Sequence, residues 1–381
     1  MRYTTAGESH GRALLAIVSD VPAGVSVTQE SIDRDLARRQ TGYGRGGRMA
    51  IERDTAAVLS GVRFGRTLGS PVALMIENRD AENWLGVMDV FGEASDASRV
   101  TAPRPGHADL AGMQRTDARD IRDILERASA RETAARVAAG AIAKAVLAEM
   151  GVGVRSWVEA IGAESTGRLD PASVDAAAVD SSDVSCPDEV VAGRMRAAID
   201  AAREDGESLG GVFVVVAEGL VPGVGGYAEA ESRLDARLGA AVLSIPAIKG
   251  LEFGDGFMSA ALPGSQVHDE ILPGDRHPIR ATNHAGGIEG GMTNGETLVL
   301  RAAMKPIPTL MRPLRTVDIV TGEVADAARE RSDVCAVPAA AVVAEAEVAL
   351  VLADAYQDLL GRASVGDMTR ALESYRARIG W

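Results

Sequence analysis

The sequence predicts an α+β fold built on an internal duplication, and three features predict it. Apolar, β-branched runs read as strands, the strongest over 212–216. Long Ala-rich stretches read as helices, above all 338–360. One ordered set of short motifs occurs twice, giving pseudo-repeats at about 13–150 and 212–360 within a single domain spanning 1–381. At 381 residues the chain is longer than the ~250 at which one core usually stops growing, which suits a large double unit.

Taken in order, 14–19 is a strand that ends at Val21-Pro22-Ala23-Gly24. Thr28 caps a helix running to about Arg39, with Ile32 and Leu36 one turn apart. A glycine-rich loop, Gly42 to Arg48, leads on to a strand over 71–76. A long helical stretch over 120–150 stops before Gly151, which suits a C′ position. The Asp/Ser/Ala-rich segment 165–188 reads as loops and a connecting helix. After the strand at 212–216 come a helix over 229–243, a strand over 297–302, and the final helix with Pro338 at its start and Gly361 past its end.

The duplication rests on three matches in the same order. Val21-Pro22 answers Val221-Pro222, and Arg127-x-Ser129 answers Arg331-x-Asp333. Between them Gly61-Val62-x-x-Gly65-x-Thr67-x-Gly69 answers Gly287-Ile288-x-x-Gly291-x-Thr293-x-Gly295. The proline-to-glycine spacing is longer in the second unit, and the surplus falls in 254–280.

Composition narrows the function. A net charge of −14 and an aromatic content of 3% argue against a polyanion-binding surface and against base-stacking platforms. Six arginines crowd 34–53 against Asp35 and Glu52, a local positive cluster fit for a small anion. Two cysteines suit a reducing cytoplasm rather than a disulfide framework. No secretory leader is expected, since Glu8, His10 and Arg12 come at once. No membrane span is expected either, because the longest apolar run, 337–353, is broken by Glu345 and Glu347.

Six segments can carry chemistry. Gly7-Glu8-Ser9-His10-Gly11 offers an imidazole among small neighbours. Pro103-Arg104-Pro105-Gly106-His107-Ala108-Asp109 presents Arg104 and His107 on a stiff segment. Arg39, Arg45 and Arg48 bracket the glycine-rich loop, where guanidinium forks can clasp phosphate or carboxylate. Arg127 and Arg131 flank Ser129 on what reads as one helical face. Asn283 to Gly295 is rich enough in glycine to turn backbone amides toward an anion, and Lys305-Pro306-Ile307-Pro308-Thr309 follows as a rigid turn. Asp333 stands in Arg331-Ser332-Asp333-Val334-Cys335. Each has a plainer reading: a structural histidine, an exposed turn, surface pairing of Arg127 and Arg131 with Glu126 and Glu132, and Asp333 as a helix cap. Cys335 reads as a small buried apolar residue, and the scattered histidines give no metal-ligand spacing.

Together these segments resemble the chorismate synthase family, in order and over nearly the whole chain. The resemblance implies a β-α-β sandwich, with central helices between two antiparallel sheets, assembled as a homotetramer. It implies conversion of 5-enolpyruvylshikimate 3-phosphate to chorismate and phosphate by anti 1,4-elimination, with reduced FMN required although there is no net redox change. His10 would then protonate the departing phosphate, His107 would manage the charge of the flavin, and Asp333 would act as a base beside it. Ser9, Arg39, Arg45, Arg48, Arg104, Ser129 and Arg131 would surround the substrate. FMN would be held by Arg127, Ala128, Ser129, Pro246, Ala247, Gly290, Lys305, Pro306, Ile307, Pro308, Thr309 and Arg331. Ala128 and Pro246 depart from residues common in the family, at positions expected to contact FMN through the backbone. No NAD(P)H module is apparent, so an external flavin reductase is expected, with NADPH at most an indirect reductant. The competing readings are a flavin-independent phosphate lyase or transferase, and an RNA-binding protein using the Arg-Gly loop.

Overall fold

The chain opens as a β-hairpin, β1 (Arg2–Ala6) pairing antiparallel with β2 (Ala13–Ser19). In β2, Leu14, Ala16 and Val18 face inward while Leu15 and Ile17 face outward, the period of two that a one-sided sheet requires. The structure is a computed structural model describing residues 1–46, 53–92, 99–330 and 332–381.

Helix α1 (Gln29–Gln40) starts at Thr28, whose Oγ1 accepts from Ser31 N. Strand β3 (Ala57–Ser60), the small hairpin β4 (Val62–Arg63) and β5 (Arg66–Thr67), and β6 (Val72–Glu77) follow. Helix α2 (Asp109–Thr116) precedes α3 (Arg122–Ala128) and α4 (Thr133–Glu149). The expected continuous helix over 120–150 is therefore broken. Ser129 is extended at φ −65° and ψ 143°, and its side chain accepts from Arg131 N. Arg127 and Arg131 consequently do not share a helical face.

The second half begins with β7 (Gly153–Ile161) and β8 (Glu164–Ser165). Helices α5 (Ala176–Ser181) and α6 (Glu189–Asp205) come next, then β9 (Gly211–Glu218). Helix α7 (Leu234–Leu243), β10 (Ile248–Phe253) and the short α8 (Gly256–Ser259) lead to the hairpins β11 (Ile271–Leu272)/β12 (Ile279–Arg280) and β13 (Ile288–Glu289)/β14 (Met292–Thr293). Strand β15 (Leu298–Met304) and the hairpin β16 (Arg315–Val317)/β17 (Val324–Asp326) precede α9 (Val337–Leu360) and α10 (Val365–Ile379). The helix expected over 229–243 is shorter, because a 3-10 turn at Ala230–Ser232 gives way to an extended Arg233.

Two antiparallel sheets enclose the helices. Their orders are β1-β2-β6-β3 and β10-β15-β9-β7-β8. Helix α4 lies on β2 and β6, α9 lies on β7 and β9, and the two helices pack on each other. At their crossing a Cβ on Gly140 would sit 2.2 Å from Ala346 Cβ, so only glycine allows this approach. Helix α9 is buried on nearly every side, as an Ala- and Val-rich helix without a polar face must be. Glu345 and Glu347, which interrupt its apolar run, lie inside the protein as members of ion clusters.

Read from corresponding edges, β3-β6-β2-β1 matches β10-β15-β9-β7, and β3 and β10 each carry a register shift against their partner. The two small hairpins are fastened alike. Thr67 Oγ1 donates to Pro22 O and accepts from Val25 N; Thr293 Oγ1 donates to Val221 O and accepts from Val224 N. This pairs Pro22 with Val221, one residue out of step with the Val-Pro echo in the sequence. The correspondence also takes in β1 and β7, which lie upstream of residues 13 and 212.

The halves differ in what covers them. Val214, Val216, Val299 and Trp157 on the outer face of the second sheet form a small core with Val174 and Val179 from the 165–188 segment. This two-sided burial explains the continuous apolar run of β9. The outer face of the first sheet leaves Leu15, Ile17 and Leu59 exposed.

Candidate active site

Where the halves meet, two chambers open into each other. The larger, about 910 Å³, is walled by His10, Trp84, Arg104, His107, Ala128, Ala247, Lys305, Ile307, Pro308 and Thr309, among others. The smaller, about 160 Å³, is walled by Arg39, Arg45, Gly46, Arg131 and Asp333. Ser9, Ser129, Ala130, Pro246, Met304, Ser332 and Ala336 line both. The break at Ser129 between α3 and α4 brings that residue to the shared wall.

The small chamber is built on guanidinium groups. Asp54 receives Arg39 at 2.8 Å and Arg131 at 2.6 Å, so one carboxylate serves two arginines. Arg131 Nε also donates to Asn78 Oδ1 at 3.0 Å. Arg39 is only 4% exposed, and its Nε has no hydrogen-bond partner among the described residues. Burial, only partly offset by Asp54 and reinforced by Arg45 and Arg131, pushes Arg39 down to about 10. It remains charged at neutral pH, in surroundings that would favour another anion.

The glycine-rich loop is docked onto the entrance of α9. Gly44 has φ +84° and its backbone O accepts from Val334 N, while Tyr43 OH bonds Asp200 on α6. This sets Arg45 2.8 Å from Asp333 Oδ2, and Gly46 N donates to Asp333 Oδ1 at 2.6 Å. Asp333 is therefore not a helix cap. Helix α9 begins at Val337, and the residue at its cap position, Ala336, makes no side-chain capping bond.

In the large chamber each histidine has a carboxylate. His10 Nδ1 lies 2.9 Å from Glu126 Oε1, and its ring stacks on Trp84 with centroids 3.8 Å apart. Burial raises the Glu126 carboxyl, but the bonds from His10 and the charge of Arg122 outweigh it and leave Glu126 below its ordinary value. His107 Nδ1 bonds Asp109, which Arg104 Nε also holds at 2.8 Å. Burial raises Asp109 too, and His107 and Arg104 together bring it far below the usual carboxylate range. Arg104 continues to Thr309 Oγ1 at 3.1 Å, so it faces the large chamber and stands apart from the other arginines.

The segments expected to hold FMN converge on the opposite wall. Lys305 N donates to Ala247 O at 2.9 Å, joining the 305–309 turn to the 246–247 turn. Ala247 has φ +70°, a left-handed conformation that a non-glycine residue rarely adopts, at a position where the backbone bounds the cavity. Burial and the neighbouring Lys249 lower the Lys305 ammonium.

Not every expected residue reaches the chambers. Arg127 turns back to the backbone of Thr5 and Gly7. Gly290 forms the tip of the β13/β14 hairpin, in open space. Arg48 and Arg331 lie outside the described residues. Surface pairing of Arg127 and Arg131 with acids does not occur: Glu126 and Glu132 are buried, holding His10 and Arg136 respectively. Sequence reasoning gave no role to Asp54, Trp84, Asn78 or Arg122, and read Glu126 only as a surface partner. Asp109 alone had a local signal, two residues beyond His107 in a proline-stiffened motif.

The family described as chorismate synthase matches residues 1–357. A chorismate synthase of Rubrobacter xylanophilus is 56% identical over 99% of this chain and 97% of its own length. One from Symbiobacterium thermophilum is 55% identical over 100% of this chain and 99% of its own. A crystal structure of chorismate synthase superposes with a TM-score of 0.81 at 40% identity, covering 100% of this chain and 98% of that one. The fold, the order of its motifs and these likenesses place the chain in one group: it belongs to the chorismate synthase family.

Proposed function

We propose that this member of the family turns 5-enolpyruvylshikimate 3-phosphate into chorismate and phosphate within the two joined chambers, with the substrate toward the small chamber and reduced FMN in the large one. One observation carries the reading. Three buried or nearly buried arginines converge beside a chamber that presents two imidazoles: Arg39 and Arg131 on Asp54, and Arg45 on Asp333. A substrate with one phosphate and two carboxylates suits such a cluster of guanidinium groups.

The residues present suit a flavin mononucleotide. The large chamber has the volume of a cofactor site, Lys305 and Thr309 can take its phosphate, and the bent backbone at Pro246 and Ala247 leaves room for a flat ring. Ala128, Ser129, Ile307 and Pro308 complete the wall, with Pro306 inside the turn. Arg127 and Gly290 fall outside that wall, and the proposal rests on the others. When bound, reduced FMN would lend electron density to the allylic system as the bond to phosphate breaks.

The chain's own groups do the rest. Arg39, Arg45 and Arg131 orient the substrate, joined by Arg48 from the same loop and by Ser9 and Ser129. His10, held through Nδ1, hands a proton to the departing phosphate. His107, between Arg104 and Asp109, faces the flavin edge, and Asp333 serves as the base on the flavin side once the substrate takes over Arg45. Arg104 acts from the flavin side of the boundary.

The two halves are proposed to be repeats related by a pseudo-twofold axis, with the site between them; the common strand order and the matching threonine clasps support this. A homotetramer would bury the bare apolar face of Leu15, Ile17 and Leu59. Two buried free cysteines suit a reducing cytoplasm, and reduced flavin would come from an external reductase.

An anaerobic assay with chemically reduced FMN tests the reading. Chorismate and phosphate should appear in equal amounts without net consumption of reduced flavin, and FMN with NADPH in air should give no turnover. Equal phosphate release without any flavin would overturn it.

A further inference from the structure

The seat of His10 is made by residues to which no role has been given. Glu126 binds it twice: Nδ1 lies 2.9 and 3.0 Å from the two carboxylate oxygens, and His10 N donates to Oε2 at 2.8 Å. Ser9 N donates to Glu126 O at 3.0 Å, so the loop before β2 is fastened to α3 at two successive amides. Trp84 covers the imidazole face at 3.8 Å and is itself held by Asp80 through Nε1 at 3.0 Å. Arg122 ties the parts together, donating to Glu126 Oε1 at 3.1 Å while its guanidinium stands 5.1 Å over the Trp84 ring. Glu330, 4.0 Å from Arg122, is the next charge outward.

An ionised carboxylate only accepts hydrogen bonds, so the nitrogen facing it must carry a proton. Glu126 is 2% exposed, and its ordinary value is lowered by the contacts described above, so it is ionised at neutral pH. Nε2 is then the ring nitrogen turned away from Glu126, and stacking on Trp84 limits rotation of the ring.

We propose that Glu126 is the positioning residue of His10: with Trp84 and Arg122 it holds the Nδ1 proton and the ring plane, so that the His10 imidazolium gives its Nε2 proton to the leaving phosphate and remains as the neutral Nδ1–H tautomer. The inference rests on the proposed role of His10 and adds the residue through which that role is set. His107 and Asp109 form a second, separate pair, which serves as an internal control.

The test uses the full chain labelled with 15N-histidine, free of flavin and substrate, at a pH where imidazoles are neutral. The His10 signals, identified by their loss in His10→Gln, should be those of the Nδ1-protonated form. In Glu126→Gln that preference should be lost while the His107 signals stay in place. With reduced FMN, kcat of Glu126→Gln should fall about tenfold or more, because the imidazolium loses the carboxylate that aims its Nε2 proton at the phosphate, with KM within about threefold. A wild-type His10 protonated on Nε2 overturns the proposal without recourse to any variant, so the test survives if Glu126→Gln fails to fold. Unchanged kcat and tautomer in that variant would also overturn it, while leaving the reaction itself intact. The Nδ1–H form in a protein that makes no chorismate would instead uphold the seat and remove the reaction.

Discussion

Asp54 shows how this site stores its affinity. Its single carboxylate is shared by two guanidinium groups that would otherwise repel. Asp333 is the second placeholder, held by Arg45 and Gly46 N. Replacing it separates its two readings. Asp333→Asn keeps the shape and can still accept from Gly46 N, so reduced FMN should bind as in the parent while turnover drops about 10²-fold or more, the usual worth of a general base. Anaerobic flavin titration and kcat on the same sample check this, and unchanged turnover would remove Asp333 from the chemistry. The three proposed catalytic side chains could be nominated from the sequence because each sits in a short, distinctive motif. Their supports could not. Glu126 is 116 positions from His10 and Asp54 is 77 from Arg131, and no local pattern marks a carboxylate whose partner is supplied by folding.

Elements were legible in proportion to their periodicity. Strands β2, β6, β9 and β15 and helices α1 and α9 were placed to within a few residues, since each has a regular apolar pattern or a clear cap. Strand β1 is five residues with two threonines, too short and polar to stand out. Helix α6, with Asp188 as cap and Gly206 at its end, follows an irregular Asp/Ser-rich stretch and was passed over, as was α10. The break at Ser129 could not be read from propensity, because a tertiary demand, bringing a side chain to the cavity wall, overrides a strong helical pattern there. The crossing of α4 and α9 offers a test at this scale. In Gly140→Ala the added methyl would meet Ala346 Cβ at 2.2 Å. Overpacking costs about 1–3 kcal/mol and outweighs the ~1 kcal/mol that alanine adds to a helix interior. The urea midpoint should therefore fall; a rise would mean that the helices separate easily.

For the whole molecule, one ion cluster links α1, α4, α9 and β7. Glu345, fully buried, meets Lys144 at 2.6 Å, Arg38 at 2.7 Å and Ser156 Oγ at 2.6 Å, while Lys144 reaches Asp35 at 2.8 Å. Burial raises the Glu345 carboxyl, and Lys144 and Arg38 more than reverse this, bringing it down to about 2 from an ordinary 4.5. A carboxylate depressed by folding stabilises the protein above its unfolded value, and that contribution is lost as pH falls through the folded value. Stability should therefore decline from about pH 4.5 toward pH 2, by on the order of 3 kcal/mol from this group. Glu345→Gln should be less stable at neutral pH and flatter across that window in chemical denaturation, whereas an unchanged slope would assign acid sensitivity elsewhere. The cluster and the site share a cause: two similar halves meet along α4 and α9, and the meeting brings together groups far apart in the chain.

The account depends on one cavity joining both ligands, and a crystal structure with oxidised FMN and 5-enolpyruvylshikimate 3-phosphate tests it most directly, because oxidised flavin cannot support turnover and the complex should persist. The substrate should lie on Arg39, Arg45 and Arg131 with its phosphate at His10, and the flavin on the 305–309 turn between His107 and Asp333. A flavin bound elsewhere, or a substrate that leaves those arginines untouched, would contradict it.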